Sequence, residues 1–209
     1  MARFNQAHKD NRRQEILAAA MRCFARNGFH ITTIADIVRE SGVCQGTFYV
    51  YFKTKDDVIA ALADDRSQSD ALINAIAEAE VDPVVGLKTL FDLYGRTLAD
   101  AQRTDERRVA IQGWAEALHN DSIRNRLVAN TLRVQQAVAL LIERGQRSGQ
   151  FRADADPQGV ARSVIALFRG LTLQTAWEGM FDAVLTAKSI EDMVRGALRP
   201  LRGAQEEKR

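Results

Sequence analysis

The chain has 209 residues, 46% hydrophobic and 27% charged, with a formal net charge of +2; this suits one large or two small folded domains and excludes a disordered chain. Two cysteines, Cys23 and Cys44, cannot build a disulfide framework, no apolar run approaches the ~20 residues of a membrane span, and the N-terminus lacks the apolar stretch of a signal peptide. Three widely spaced prolines among many Ala, Leu, Arg and Glu predict an all-α, cytoplasmic protein of about nine helices.

The charge is unevenly spread. Residues 1–55 hold nine Lys/Arg against four Asp/Glu, a surplus of five, and the remainder is mildly acidic. A basic first quarter points to a polyanionic partner.

The first helix is read over Arg12 to Arg26, with Ile16, Leu17, Ala20 and Phe24 on one face and Gly28 as its stop. Thr33 caps the second helix, with Asp36 three residues on as an acidic capping box, and Gly42 ends it. Cys44 stands where a capping residue is needed before the third segment, Q-G-T-F-Y-V-Y-F, and a thiol is a poor cap. Phe48 and Phe52, four apart, face one core, while Tyr49, Val50 and Tyr51 project elsewhere. Two short helices across a glycine turn make the helix-turn-helix pattern.

A fourth helix starts near Asp56 and is expected to run on through the polar stretch 64–70 to Ile76. Asp82-Pro83 caps a fifth, with Leu87, Leu90, Phe91, Tyr94 and Leu98 inward. Ile111, Trp114, Ala115 and Leu118 stripe the sixth. Asp121 opens the seventh, with Leu127, Thr131, Val134, Val138 and Leu141 inward, ending at Gly145 to Gly149. Asp156-Pro157 opens the eighth, whose Val160, Val164, Leu167, Phe168 and Leu171 form one stripe while Ile165, Leu173 and Ala176 lie elsewhere. A helix apolar on two sides must be covered twice, so helices eight and nine are expected to pair with the same helices of a second chain as a homodimer. Ser189 is read as the start of the ninth, with Ile190, Met193, Val194, Ala197, Leu198 and Leu201 as its stripe.

No cluster carries catalysis. Glu116-A-L-His119 has the spacing of half a di-iron site, but the other histidines, His8 and His30, lack the matching glutamate. There is no zinc spacing, no phosphate-cradling glycine loop and no support for a nucleophilic triad. No enzyme, metal or cofactor is expected.

The stretch T-T-I-A-D-I-V-R-E-S-G-V-C-Q-G-T-F-Y-V-Y-F-K-T-K-D-D at 32–57 resembles the DNA-binding motif of the TetR family, and Trp114 to Trp177 is similar to C-terminal domains known as BetI-like or AcrR-like. The resemblance implies a helix-turn-helix DNA-binding domain over 1–55 and a ligand-binding and dimerisation domain over 56–209. It implies a repressor released from palindromic double-stranded operator DNA by a small molecule. Gln45, Tyr49 and Val50 are expected to reach bases, with Gly46 letting the backbone approach; Thr33, Thr47, Tyr51 and Lys55 are expected to hold phosphates. Phe91, Tyr94, Trp114 and Phe168 supply aromatic walls for an effector pocket, and Gln112, His119 and Gln174 its polar points. That mix suits an apolar or aromatic effector, or a cation held between two aromatic faces. The competing readings are an all-helical small-molecule binder or enzyme without DNA function, and a non-specific architectural DNA protein. The basic first quarter and the 32–57 motif argue against the first, and lack of operator preference would mark the second.

Overall fold

A computed structural model describes residues 2–65, 75, 82–177 and 182–200. Among them are nine α-helices and no strand: α1 (Ala2–Ile31), α2 (Ile34–Ser41), α3 (Gln45–Tyr51), α4 (Lys55–Asp65), α5 (Pro83–Ala99), α6 (Thr104–Glu116), α7 (Asp121–Arg147), α8 (Pro157–Trp177) and α9 (Ala183–Ala197). A short 3-10 turn, Ala101–Arg103, precedes α6. The expected run of α4 through 66–74 and 76 lies outside the described residues, as does Leu201.

The chain forms two compact units, 1–67 with 104–128, and 68–103 with 129–209. In the first, Ile16, Leu17, Ala20 and Phe24 of α1 meet Ile37 of α2, Phe48 of α3, Phe52, and Val58, Ile59 and Leu62 of α4, all buried. Val109 of α6 and Ile123 of α7 complete this core. In the second, Leu87, Leu90, Phe91 and Leu98 of α5 pack with Val138, Leu141 and Ile142 of α7, Val164 and Leu171 of α8, and Ile190, Val194 and Leu198 of α9. Helices α5 and α9 approach closely: a Cβ on Gly95 would stand 2.9 Å from that of Ala187.

The helix ends follow local chemistry. Asp82 accepts from the amides of Val84 and Val85, and Pro83 stands at the first helical position where no amide is needed. Asp156 accepts from Gln158 and Gly159 and caps α8.

Three expectations are corrected. α1 begins at Ala2 rather than near Arg12. α7 opens at Asp121 as expected, with Asn120 before it as the cap, its side-chain oxygen accepting from Ser122 and Ile123. α9 starts at Ala183, because Asp182 caps it by accepting from Leu185; Ser189 lies mid-helix and returns its hydroxyl to the Leu185 carbonyl. In α6 the buried residues are Arg107, Val109 and Ala110, and Leu118 stands 74% exposed beyond the helix end.

Candidate nucleic-acid interface

α2 and α3 are built to hold one face outward. The Thr33 hydroxyl accepts from the Asp36 amide at 3.1 Å, and the Asp36 carboxylate accepts from the Thr33 amide at 3.0 Å, which is the predicted capping box. Gly42 ends α2 with φ 69, a left-handed conformation that favours glycine. Ring contacts then fix α3: Phe48 is fully buried and lies edge-on to Tyr49 at 5.6 Å and tilted to Phe52 at 5.9 Å. With that side anchored, Gln45, Gly46, Tyr49 and Val50 are exposed together on the opposite side, Val50 at 75%. A β-branched aliphatic side chain so exposed on a short helix leaves apolar surface in water unless a partner covers it.

α2 is locked to α1 by charge. Glu40 accepts from Arg22 at 2.8 Å and from Arg26 at 3.0 Å. These two bonds hold its carboxyl below the usual carboxylate range. Asp36 is held low by the Thr33 hydroxyl and amide and by Arg39. Asp57 is held low by the amide and hydroxyl of Thr54 and the amide of Lys53, which join the α3–α4 turn.

The remaining phosphate candidates are placed as follows. The Thr33 hydroxyl is engaged in the capping box. Thr47 is half-buried, its hydroxyl 3.1 Å from the Cys44 sulfur. Cys44 makes no side-chain bond to the helix amides, in line with the weak cap expected of it, and Thr47 lowers its thiol from the ordinary value. Tyr51 is half-buried against the first unit's core. Lys55 is drawn inward. Its ammonium donates to the carbonyls of Phe29 at 2.5 Å, Thr32 at 3.0 Å and His30 at 3.4 Å. An ammonium has three donors, and the two short bonds occupy two of them. The neighbouring Lys53 is exposed beside the end of α3. The sequence reading passed over it, although both lysines stand in Y-F-K-T-K.

The effector candidates divide between the units. In the second, Phe91, Tyr94 and Phe168 come together: Phe91 meets Phe168 edge-on at 5.2 Å, and Tyr94 stacks on Phe168 at 3.8 Å. The Tyr94 hydroxyl meets the Phe168 carbonyl and the Thr172 hydroxyl. A stack this close has no room for a cation between the rings. Gln174 is exposed on α8. The other three are in the first unit. Trp114 is half-buried on α6, and His119 is exposed in the turn after it. Gln112 has both ends of its amide bonded to the backbone of α1. Glu116 faces His30 at 3.4 Å, and the described residues contain no cluster able to hold a metal.

Comparison with known proteins agrees with this geometry. Residues 16–62 match the family described as bacterial regulatory proteins, tetR family, and residues 90–202 match the BetI-type transcriptional repressor C-terminal family. The chain is 28% identical to the HTH-type transcriptional regulator TtgR of Pseudomonas putida, over 97% of each chain. It is 27% identical to the HTH-type transcriptional repressor AcnR of Corynebacterium glutamicum, over 90% of this chain and 93% of that one. A solved regulator from Saccharomonospora viridis in complex with choline superposes with a TM-score of 0.75 at 29% identity, over 88% of this chain and 95% of that one.

Proposed function

The chain belongs to the TetR family, with a BetI-type C-terminal domain, and is a ligand-responsive DNA-binding transcriptional regulator; from that premise we propose how it works. Residues 1–55 read the operator, and residues 56–209 sense a ligand and pair two chains. The observation that carries the reading is the division of α3: Phe48 is sealed in the core while Gln45, Gly46, Tyr49 and Val50 face outward. A helix held from behind, with a polar and an apolar reader in front, suits the major groove. There the Gln45 amide pairs with adenine and Val50 meets a thymine methyl group. Tyr49, Thr47 and Tyr51 flank these with hydroxyls for phosphate, and the exposed Lys53 takes the main cationic phosphate role beside the partly engaged Lys55.

Two chains pair through α8 and α9. Each helix buries one side in its own unit and leaves apolar residues on another: Leu167 and Trp177 on α8, Leu185 and Met193 on α9. Such surface on helices already covered from behind supports a two-fold contact. The effector is a small apolar or aromatic compound met by Phe91, Tyr94 and Phe168, and the choline complex of the 29% identical relative supports a small-molecule site. The protein acts in the cytoplasm as a repressor and not as an enzyme.

A gel shift on sheared DNA from the source genome, with and without competitor, tests this reading. Retention of discrete fragments in the presence of competitor is expected. Uniform binding that competitor abolishes would indicate an architectural DNA protein, and no binding would favour a ligand-binding protein without DNA function.

A further inference from the structure

The junction that carries α2 and α3 begins at a break in α1. Gly28 has φ 80 and ψ 166, outside the helical region. The Phe29 amide follows the break, so its helical acceptor four residues back is out of line. A side chain from another helix fills the gap. The Phe29 amide donates to Gln112 Oε1 at 3.0 Å, and Gln112 Nε2 donates to the Phe24 carbonyl at 3.0 Å. One primary amide on α6 thus grips α1 on both sides of the break, using a donor and an acceptor as a peptide group would. The rings of Phe24 and Phe29 close edge-on at 4.8 Å, and both are buried. Just beyond, Lys55 and the Thr32 hydroxyl take up the carbonyls of the same bend. Thr33 then caps α2.

We infer that Gln112 is a positioning residue for DNA recognition, the point at which α6 sets the bend between α1 and the α2–α3 pair. The inference rests on the DNA-reading function proposed above. Its argument is geometric: only four residues lie between Phe29 and the first residue of α2, so the direction of α2 follows from how that bend is held. Glu40 fixes the far end of α2 to α1, and Gln112 holds the bend of α1 that leads into its near end. α6 is also the stretch by which the chain re-enters this unit after residue 103. Gln112 gives it a direct hold on the bend that leads into the reading helices.

The test uses the full-length wild-type dimer, Gln112→Met and Gln112→Glu. Methionine fills nearly the same volume without either bond. Glutamate keeps the acceptor for Phe29 and regains a donor for Phe24 only when protonated. The probe is a duplex of about 30 base pairs enriched by wild type from a random library, long enough for two half-sites, with a scrambled duplex beside it. Circular dichroism and sedimentation report fold and assembly, and amide exchange reports the Phe29 bond.

For folded Gln112→Met we expect faster exchange at Phe29, at least tenfold weaker binding to the enriched duplex, and binding to the scrambled duplex within twofold of wild type. Gln112→Glu should behave likewise near pH 8 and begin to recover selectivity, relative to wild type, as pH falls toward about 5, because partial burial raises a carboxyl here above its ordinary value of about 4.3. Fast exchange at Phe29 with an unchanged ratio of enriched to scrambled binding would overturn the inference and leave Gln112 a structural tie. If the methionine variant does not fold, the glutamate series decides, and selectivity that tracks wild type at every pH overturns it. A wild type that enriches no sequence would instead refute the DNA-reading function, and this role with it.

Discussion

Lys53 and Lys55 stand two residues apart, carry the same charge, and should fail differently when truncated. Lys55→Ala removes an ammonium that donates to the Phe29 carbonyl at 2.5 Å and the Thr32 carbonyl at 3.0 Å, with a longer contact to His30. A hydrogen bond from a charged donor is worth about 1.5–3 kcal/mol net. The site is half-buried, so water recovers part of this, and a loss of roughly 2–3 kcal/mol is expected for the pair of short bonds. For a chain of this size that lowers the melting temperature by roughly 4–12 °C. Lys53→Ala removes an exposed side chain and should leave the melting temperature within about a degree, as surface substitutions do. On DNA the order reverses. Losing one phosphate contact lowers the slope of log affinity against log salt by about 0.9 per subunit. Fluorescence anisotropy with an enriched duplex between about 50 and 200 mM salt measures this slope. Lys53→Ala should flatten it, and Lys55→Ala should keep it while lowering affinity through the loosened bend. A Lys55→Ala protein with wild-type melting and a flattened slope would refute the assignment.

Three further outcomes are expected. Met193→Glu should yield a folded monomer by sedimentation, because Met193 is 66% exposed on α9; Leu198→Glu should unfold the second unit, because Leu198 is fully buried there and an unpaired buried charge is destabilising. Met193→Glu that sediments as wild type would remove α9 from the interface. Asp36, Glu40 and Asp57 all have carboxyls held below their ordinary values by hydrogen bonds from Thr33, from Arg22 and Arg26, and from Thr54 and Lys53. Their folded pKa values lie below the unfolded ones, so their stabilisation is present above about pH 4 and is lost as pH falls through the folded values. Thermal melts of the first unit should therefore weaken from about pH 5 to pH 3, and a midpoint that stays constant over that span would contradict it. Gly95→Leu should separate α5 from α9, since even a Cβ there would meet Ala187 at 2.9 Å, and destabilise by about 1–3 kcal/mol in denaturant titration.

What was legible in the sequence was what local chemistry decides. Thr33 with Asp36, Gly42, and Asp82 before Pro83 declare their helix ends within three or four residues, and the structure keeps each. Phe48 and Phe52 declare a shared core by their spacing. Harder to read was what depends on a distant partner. Asp182 caps α9 as well as Ser189 would, and only the packing behind it selects the start. Lys55 looks like a phosphate contact because it follows the recognition helix; that the α1 carbonyls lie within its reach is a tertiary fact. Gln112 looks like a polar point in a pocket, and its partners are 83 and 88 residues away. Of the aromatic candidates, Phe91, Tyr94 and Phe168 converge because α5 and α8 pack together, while Trp114 falls in the other unit.

The central claim is that α3 reads operator DNA in a two-fold pair. Selection of duplexes from a random library by the wild-type protein, repeated with Val50→Ala and Gln45→Ala, addresses it most directly. Wild type should enrich an inverted repeat with half-site centres about 10 base pairs, or a multiple, apart. Val50→Ala should relax preference at a thymine, and Gln45→Ala at an adenine, once in each half-site. Enrichment of no repeat, or variants that lose affinity uniformly without any change of preferred sequence, would contradict the account.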